Sequence, residues 1–250
     1  VRHMILNSIR MYRTEHHNEY GEVVLTWDSK HSWRRDYFPE YKASRRKGRE
    51  ESDLNWDDIF ATLNKIRNEI KENFPYKYLE VFGAEADDII GFLCEENRDE
   101  KIMIISGDKD FIQLQKYPNV KQWSPITKKD VNGFNPTTYL KEHILRGDTS
   151  DGVPNVLSPD NTFVDGLRQR PLSRKKIQSW LIGGGSDWND EVKRNFQRNS
   201  TLIDLSRTPE ELKNQIRLEY NNAPHGDRSK LLNYFMQNKL KELNENIGEF

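Results

Sequence analysis

The sequence is poor in cysteine and contains no long apolar run. Cys94 is the only cysteine among 250 residues, so the chain can form neither a disulfide framework nor a thiolate zinc site. No stretch approaches the roughly 18 apolar residues of a membrane-spanning helix, and no signal peptide is visible. We therefore expect a cytoplasmic protein in a reducing compartment, without a membrane partner.

Two kinds of catalytic arrangement are also missing. No Ser/His/Asp or Cys/His combination typical of nucleophilic catalysis is apparent. The histidines are not spaced as zinc ligands, and we interpret all of them as surface or core residues. They are His3, His16, His17, His31, His143 and His225.

The charge is nearly balanced overall but unevenly distributed. The formal net charge is −1, yet residues 30–49 carry eight Lys/Arg and only two acids. Residues 166–186 carry five Lys/Arg and no acid. Basic stretches beside acidic clusters are expected of an enzyme that holds a polyanion along its backbone and binds metal ions at one phosphate.

Short apolar runs alternate with helical patterns in the first half of the chain. This alternation predicts a parallel α/β sheet flanked by helices over residues 1–135. Strand signals fade from residue 136, so residues 136–250 are predicted to form a smaller helical domain that binds DNA. Strands are predicted at 23–27, 78–82, 102–106 and 119–123, and helices at 1–14, 53–73, 84–96, 137–146, 173–182, 188–199, 209–220 and 228–246.

Acidic residues cluster near the ends of the predicted strands. In an open parallel sheet, residues just past the carboxyl ends of neighbouring strands converge on one crevice. Carboxylates crowded there repel one another unless cations lie among them, and Mg²⁺ or Mn²⁺ prefers oxygen ligands. The candidate metal ligands and catalytic acids are Asp28, Glu85, Asp87, Asp88, Asp108, Asp110, Asp148 and Asp151.

Each acidic motif has a structural alternative when it is taken alone. AEADD (84–88) is also typical of a negatively charged helix start, and GDTSDG (147–152) of a polar turn. SGDKDF (106–111) is harder to explain, because a simple turn needs one acid rather than two. The combined pattern favours phosphodiester hydrolysis with two metal ions, in which the carboxylates hold the ions and do not transfer protons.

A basic segment with interleaved aromatic residues follows Asp28. A solvated, charged helix is the alternative, but the nearly single sign and the aromatics favour contact with nucleic acid. Lys42 and Arg45 are the best candidates to reach the scissile phosphate, where a cation offsets the charge that develops in the transition state. The candidate contacts are Arg34, Arg35, Tyr41, Lys42, Arg45, Arg46, Lys47 and Arg49.

These features together resemble the 5′-nuclease superfamily, which includes flap endonucleases and the 5′–3′ exonuclease domains of bacterial DNA polymerases. Within it, the chain is most similar to the ribonuclease H group of T-even bacteriophages. The resemblance covers nearly the whole chain. It is carried by LTWDSK (25–30), WRRDYFPEYKASRRKGREE (33–51), AEADD (84–88), SGDKDFIQLQKYPNVKQWSP (106–125) and GDTSDGVPNV (147–156).

The resemblance implies a PIN-like nuclease domain with two Mg²⁺ sites, at which Mn²⁺ can substitute, formed by the eight acids. Residues 30–50 match the family's arch or its base, through or beneath which a 5′ single strand passes. Tyr41, Lys42 and Arg45 match its Tyr-Lys-x-x-Arg pattern. Residues 147–156 match the opening of a helix–three-turn–helix element, which grips duplex phosphates and binds a monovalent cation.

The implied reaction is hydrolysis of RNA or DNA from a 5′ end on a duplex, and of 5′ flaps. The phage members remove RNA primers from lagging-strand fragments. The implied partners are branched or nicked duplex DNA, RNA–DNA hybrids and replication proteins, in an infected bacterial host cell. We expect a monomer. The amphipathic stretch Leu231–Leu243 is predicted to pack against the chain's own helical domain, with docking of a replication protein as the alternative.

The chain departs from the family pattern in two places. The family has a first strand that ends in an Asp, upstream of the helix that begins here at Val1, and we expect that strand to be missing from these 250 residues. LSPDNTFVDGLRQRP (157–171) replaces a compact Gly-rich turn. Two other functions therefore stay open: a non-catalytic nucleic-acid-binding protein, and another Mg²⁺ enzyme, such as a phosphatase or receiver domain, that would not need the basic segment.

Overall fold

A computed structural model gives the fold of residues 1–250 and describes the side chains of residues 1–45 and 48–250. The predictions for Arg46 and Lys47 lie outside the described side chains. The α/β part comprises strands β1 to β5 and helices α1 to α5. Their bounds are α1 Arg2–Tyr20, β1 Val24–Thr26, α2 Trp33–Tyr37, α3 Ser44–Glu50, α4 Trp56–Asn73, β2 Lys77–Leu79, α5 Ala86–Glu96, β3 Ile102–Ile105, β4 Val120–Ser124 and β5 Lys129–Asp130.

The predicted fold class is confirmed, and the strands divide into two sheets. Strand β1 pairs in parallel with β2, with Val24 opposite Lys77. Strand β3 pairs in parallel with β4, with Ile102 opposite Val120, and β5 adds a short antiparallel edge. Among the described residues, no ladder joins β1 to β3.

A groove separates the two sheets where a single continuous sheet was expected. It has a volume of about 670 Å³ and is lined mainly by apolar groups of β1 and β3, with helix α1 on one side and α5 on the other. Because neither facing strand edge pairs across the groove, backbone N–H and C=O groups on both edges are available to an additional strand. Residues that line it include Ile9, Tyr12, Leu25, Leu93, Cys94 and Ile104.

The C-terminal half is helical, as predicted. Helix α6 is followed by a long connection, residues 147–173, before α7 begins. The helix predicted over 228–246 is two short helices, because the chain turns between them at Lys239, which has a φ of +55°. The bounds are α6 Pro136–Arg146, α7 Arg174–Gly183, α8 Asp190–Ile203, α9 Glu210–Asn222, α10 Leu231–Gln237 and α11 Lys241–Glu245.

The C-terminal helices pack onto the α/β part of the chain. Phe235 of α10 and the terminal Phe250 are fully buried in one cluster with Leu6 of α1 and Ile70 of α4. Leu231–Leu243 thus packs within the chain, but against α1 and α4 rather than against helices α6 to α9. The apolar core therefore crosses the predicted boundary at residue 135. Within the described residues, the structure contains no helix that combines the length and apolarity needed to span a membrane.

Candidate active site

The separate acidic motifs converge on one face of the molecule. Helix α5 begins directly after Glu85, and a 3₁₀ helix, Lys109–Lys116, begins directly after Asp108 at the end of β3. A crevice of about 730 Å³ is lined by Asp108, Asp110 and Asp148, with Tyr139 of α6 on its wall. Two stretches that are distant in sequence, SGDKDF and GDTSDG, therefore contribute carboxylates to one crevice, and the charges of Asp108 and Asp110 also act on Asp87 of AEADD.

The carboxylates at the centre of this site are buried close to one another, and their negative charges are only partly balanced by nearby cations. Burial, together with the charges of Asp108 and Asp110, raises the pKa of Asp87 to about 8. Burial raises the pKa of Asp110 to about 7, an effect that His143 opposes and Asp108 and Asp148 reinforce. A divalent cation would relieve this repulsion, and carboxylate oxygens are the donors that such ions prefer. The residues present therefore fit a metal centre.

Lys42 and Tyr41 join two of the acidic motifs. Lys42 Nζ donates a hydrogen bond to Glu85 Oε1 at 2.7 Å. The Tyr41 hydroxyl lies 2.8 Å from Glu85 Oε2 and 2.7 Å from Asp151 Oδ2. Burial holds the pKa of Tyr41 far above its usual value, so the hydroxyl stays protonated and acts as a hydrogen-bond donor. Tyr41 is 3% exposed, so its ring cannot stack on a nucleic-acid base. Its role is to link two carboxylates within the protein, and not to contact nucleic acid as predicted.

Arg45 lies at the open side of the same cluster. Its Nη2 donates to Asp151 Oδ1 at 2.5 Å and its Nε donates to the carbonyl of Ser150 at 3.2 Å. The Arg45 side chain is 46% exposed, whereas that of Lys42 is 15% exposed. Two cations from the basic segment are therefore held against the acidic site, one partly buried and one facing solvent.

The backbone brings the basic segment and the loop after α6 into direct contact. The Lys42 N–H donates to the carbonyl of Asp151 at 2.8 Å, and Lys42 adopts a left-handed φ of +56°. Gly152 has a φ of +73°, and a Cβ at this position would lie 3.1 Å from the carbonyl oxygen of Glu40. Glycine is therefore required by both conformation and close approach.

The loop that carries Asp148 and Asp151 is closed by its own hydrogen bonds. Asp148 and Val153 exchange backbone hydrogen bonds of 2.8 and 2.7 Å. Asp148 Oδ1 accepts from the N–H and the hydroxyl of Ser150 and from the N–H of Asp151. Burial alone would raise the pKa of Asp148, but hydrogen bonds from His143 and Ser150 lower it well below its usual range. Asp148 is therefore a fixed, ionised carboxylate.

Asp88 and Arg34 lie together beneath the site. The Arg34 guanidinium donates two hydrogen bonds of 2.8 Å to the Asp88 carboxylate and a third to the carbonyl of Leu202. Asp88 also accepts from the Thr208 hydroxyl and the Glu85 N–H, and it is fully buried. Because its oxygens are saturated by protein donors, Asp88 has no capacity left for a metal ion. We therefore remove Asp88 from the candidate ligands and Arg34 from the candidate nucleic-acid contacts.

The remaining predicted residues are exposed or partly exposed. Asp28 is exposed, and its Oδ1 accepts from the N–H of Ala86, next to Glu85. Asp108 is exposed at the start of the 3₁₀ helix. Arg35 is exposed and Arg49 partly exposed, with its guanidinium 6.0 Å from the ring centroid of Phe60.

One residue that we interpreted as surface or core lies inside the site. His143 of α6 contacts Asp110 and Asp148, at 3.3 and 3.4 Å. Burial alone would lower the pKa of His143, but the two carboxylates raise it. A search for zinc spacing could not find this histidine, because its partners are on other elements. Its position on the helix directly before GDTSDG was the only available signal.

Two family models match the chain. A model described as the 5′-3′ exonuclease N-terminal resolvase-like domain matches residues 2–143. A model described as the T4 RNase H C-terminal domain matches residues 136–250. Together they account for nearly all of the sequence, and their ranges meet within α6.

Known relatives support the same assignment. The ribonuclease H of Enterobacteria phage T4 is 35% identical over an alignment that covers all of this chain and 86% of that protein. Two solved structures of a phage T5 flap endonuclease share the fold. One was crystallised with metal ions and has a TM-score of 0.63 at 15% identity, covering 86% of this chain and 90% of that one.

The other is a complex with DNA and metal ions, with a TM-score of 0.62 at 16% identity, covering 86% of this chain and 88% of that one. At such low identity these structures establish the fold alone, while the family models and the T4 relative establish the family. The chain therefore belongs to the 5′–3′ exonuclease family, together with the T4 ribonuclease H, and is a nuclease, a hydrolase of phosphodiester bonds.

Proposed function

We propose that this nuclease is a Mg²⁺-dependent, structure-specific 5′ nuclease that removes RNA primers and DNA from 5′ ends on duplexes during lagging-strand replication. The observation that carries the proposal is that a cluster of negatively charged carboxylates lies beside two cationic side chains. Burial, reinforced by neighbouring carboxylates, raises the pKa of both Asp87 and Asp110, and Lys42 and Arg45 lie at the edge of the same cluster. This arrangement suits a phosphate that must contact metal ions and protein cations together.

The carboxylates fall into two groups that would hold two ions. Asp87 and Asp108, with Glu85 and Asp28 beside them, form the group at the start of α5 and the end of β3. Asp148 and Asp151 form the second group, and Asp110 lies between the two. Bound divalent cations would supply positive charge to phosphate oxygens and lower the pKa of a water molecule, with Mn²⁺ as a substitute for Mg²⁺. The monovalent cation at residues 147–156 stays a prediction.

The protein's own side chains would position the phosphate. Lys42 and Arg45 are already held on Glu85 and Asp151, so a phosphate that enters the site meets preformed cations. Tyr41 fixes Glu85 and Asp151 relative to each other. The exposed Arg35 precedes these two cations in the basic segment and the partly exposed Arg49 follows them, and both would contact the 5′ strand. The same role for Arg46 and Lys47 stays a prediction.

We infer the substrates and the cellular setting from the relatives. The names of the relatives refer to ribonuclease H and to flap endonuclease activity, and one solved structure of the phage T5 protein holds DNA. We therefore propose branched or nicked duplex DNA and RNA–DNA hybrid as substrates of a monomer. It would act beside replication proteins in the cytoplasm of an infected bacterial host.

The groove between the two sheets supports the predicted additional strand. A strand placed there could pair in parallel with β1 on one side and β3 on the other, and its apolar side chains would cover Leu25 and Ile104. Its carboxyl end would reach the edge of the sheet where the acids lie. An N-terminally extended chain should therefore show slowed amide hydrogen exchange in β1 and β3 relative to residues 1–250. Unchanged exchange would contradict this proposal.

The groove also supports a second candidate function, namely that of a protein that binds nucleic acid without cleaving it. If the metal centre needs the additional strand, residues 1–250 would bind flapped DNA in a salt-sensitive way and leave it intact. The decisive assay uses a 5′-labelled flap and an RNA–DNA hybrid, with Mg²⁺ or EDTA, on residues 1–250 and on the extended chain.

The variants in this assay are Asp108→Ala and, as a matched control, Asp99→Ala. Asp99 is an exposed acid in the turn before β3. Metal-dependent release of 5′ fragments that only Asp108→Ala abolishes would support the nuclease. Tight binding without cleavage, even by the extended chain, would overturn catalysis and leave the binding protein.

A further inference from the structure

His143 lies between two carboxylates that belong to different elements. Its Nδ1 is 3.3 Å from Asp110 Oδ1, and its Nε2 is 3.4 Å from Asp148 Oδ2. One ligand atom from each of the three residues lies within 4.8 Å of the other two. The imidazole is 16% exposed at its side chain and therefore stays accessible to an ion in the crevice.

The surroundings of His143 hold the ring in place. Tyr139, one turn earlier on α6, packs against it edge-on with a centroid distance of 6.1 Å. Asp148 is fixed by three hydrogen bonds from its own loop, and the Asp110 N–H donates to Asp108. All three side chains thus extend from segments that are fixed independently of one another, which is how a preorganised ligand set is built.

Both contacts of His143 are longer than close hydrogen bonds. Hydrogen bonds from a ring nitrogen to a carboxylate are typically about 2.7–3.2 Å long, and both contacts of His143 exceed that range. Ligand atoms that bind one ion at roughly 2.0–2.2 Å lie about 3 Å or slightly more from each other. An ion can bind only one ring nitrogen, and one nitrogen of His143 lies within 4.8 Å of one oxygen each of Asp110 and Asp148, which is close to the spacing of atoms that bind one small divalent ion.

We infer that His143 supplies a nitrogen ligand to the ion held by Asp110 and Asp148, and that this position prefers a first-row transition ion such as Mn²⁺ or Co²⁺ to Mg²⁺. This inference rests on the proposed metal-dependent nuclease and concerns which ion occupies one of its two positions. Imidazole binds transition ions more strongly than Mg²⁺, which selects oxygen donors. The Asp87–Asp108 group contains carboxylates only and stays suited to Mg²⁺.

The test uses Mn²⁺ alone, bound to the wild-type protein and to two variants. Pulsed electron paramagnetic resonance detects a ¹⁴N nucleus bound to Mn²⁺, and ¹⁵N-histidine labelling assigns that nucleus to a histidine. We expect one such coupling in the wild type and none in His143→Asn. His225→Asn is the matched control, because His225 is an exposed histidine near the end of α9 and should leave the coupling unchanged.

Calorimetric titration supplies the second measurement. His143→Asn should weaken the binding of Mn²⁺ or Co²⁺ at one position by about tenfold or more and leave Mg²⁺ binding nearly unchanged. If His143→Asn does not fold, the labelled wild-type spectrum alone decides. Absence of a histidine nitrogen on bound Mn²⁺ would overturn the inference and leave His143 as an ion-pair partner.

Different experimental results would reject the His143 ligand and the proposed nuclease function. Metal-dependent cleavage without a nitrogen coupling would reject the His143 ligand and keep the nuclease. A nitrogen coupling in a protein that cleaves neither flap nor hybrid in its extended form would keep the ligand and reject the proposed substrates.

Discussion

The Nζ of Lys42 donates a hydrogen bond of 2.7 Å to Oε1 of Glu85, so a cation of the basic segment is joined to the first acid of AEADD. The Lys42 side chain is only 15% exposed, and its backbone has a left-handed conformation. Backbone conformations of this kind persist only where surrounding contacts hold them, and they concentrate at functional sites. The contact therefore positions a cation where a phosphate would approach the carboxylates.

Replacing this cation should slow cleavage much more than it weakens binding. We expect Lys42→Ala to lower kcat on the order of a hundredfold, the usual cost of removing one group that stabilises developing charge. The flap dissociation constant should rise only a few-fold, because the rest of the basic segment still contacts the strand. Single-turnover cleavage and fluorescence anisotropy measure the two effects separately.

Lys65→Ala is the control for Lys42→Ala, because it removes an exposed lysine from helix α4, away from the site. It should leave both quantities unchanged. A Lys42→Ala variant that cleaves at the wild-type rate would remove Lys42 from the reaction.

The buried pair of Arg34 and Asp88 should matter for stability. Asp88→Ala removes two hydrogen bonds of 2.8 Å from the buried Arg34 guanidinium and leaves Glu85 Oε2, at 3.3 Å, as its remaining carboxylate partner. The loss of one member of a buried pair typically costs about 3–5 kcal/mol, and the Glu85 contact places the expected loss at the lower end of that range. Urea denaturation measures the free energy of unfolding. The exposed Asp99→Ala should change it by less than about 0.5 kcal/mol. A stable Asp88→Ala protein with weakened metal binding would return Asp88 to the ligand set.

Arg34 and Arg45 show which features of the site could be predicted from the sequence alone and which could not. Both belong to one basic run, and charge patterning predicted the same role for them. Their different environments depend on distant residues, because Arg34 is buried by contacts with Asp88 and the carbonyl of Leu202. By contrast, the proximity of Asp87 and Asp108 follows the expectation from strand ends, although β2 and β3 belong to different sheets.

His143 and the groove required the tertiary structure. The approach of His143 to Asp110 depends on how α6 packs against the 3₁₀ helix, and no spacing in the sequence encodes that packing. The groove is likewise a relation between β1 and β3, each of which was correctly predicted as a strand. Local periodicity identifies the elements, and their mutual placement decides which side chains meet.

The metal-free protein should become less stable as the pH rises. Burial and neighbouring carboxylates raise the pKa of Asp87 to about 8 and that of Asp110 to about 7, from an ordinary value of 3.8. Between the ordinary and the raised pKa, the folded state therefore binds more protons than the unfolded state. Stability is then highest near pH 4 and falls until about pH 8, by an amount on the order of a few kcal/mol. His143 has the same sign, because its raised pKa adds stability that is lost as it deprotonates.

Melting temperatures from pH 5 to pH 9, in EDTA and in Mn²⁺, test this dependence. The ion binds ionised carboxylates, so its stabilising effect should grow with pH. The Asp87→Asn and Asp110→Asn double variant should flatten the slope measured in EDTA. A melting temperature that rises through this range in EDTA would mean that the carboxylates are not crowded.

Gly152 should be essential for the contact between the loop and Lys42. An alanine there would adopt an unfavourable φ of +73° and would place its Cβ 3.1 Å from the Glu40 carbonyl. We expect Gly152→Ala to lower the free energy of unfolding by about 1–2 kcal/mol through its conformation alone. It should also lower kcat, because relief of the contact shifts the Asp151 carbonyl away from the Lys42 N–H.

Gly166→Ala separates the two causes. Gly166 has a similar φ of +66°, but a Cβ there would have no neighbour within 4 Å. It should therefore lower the free energy of unfolding by a similar conformational amount and leave kcat at the wild-type value. If Gly152→Ala and Gly166→Ala lose the same stability and both keep full activity, then the approach of the loop to Lys42 does not position the cation. In that case Lys42 must be held at Glu85 by its side-chain hydrogen bond alone.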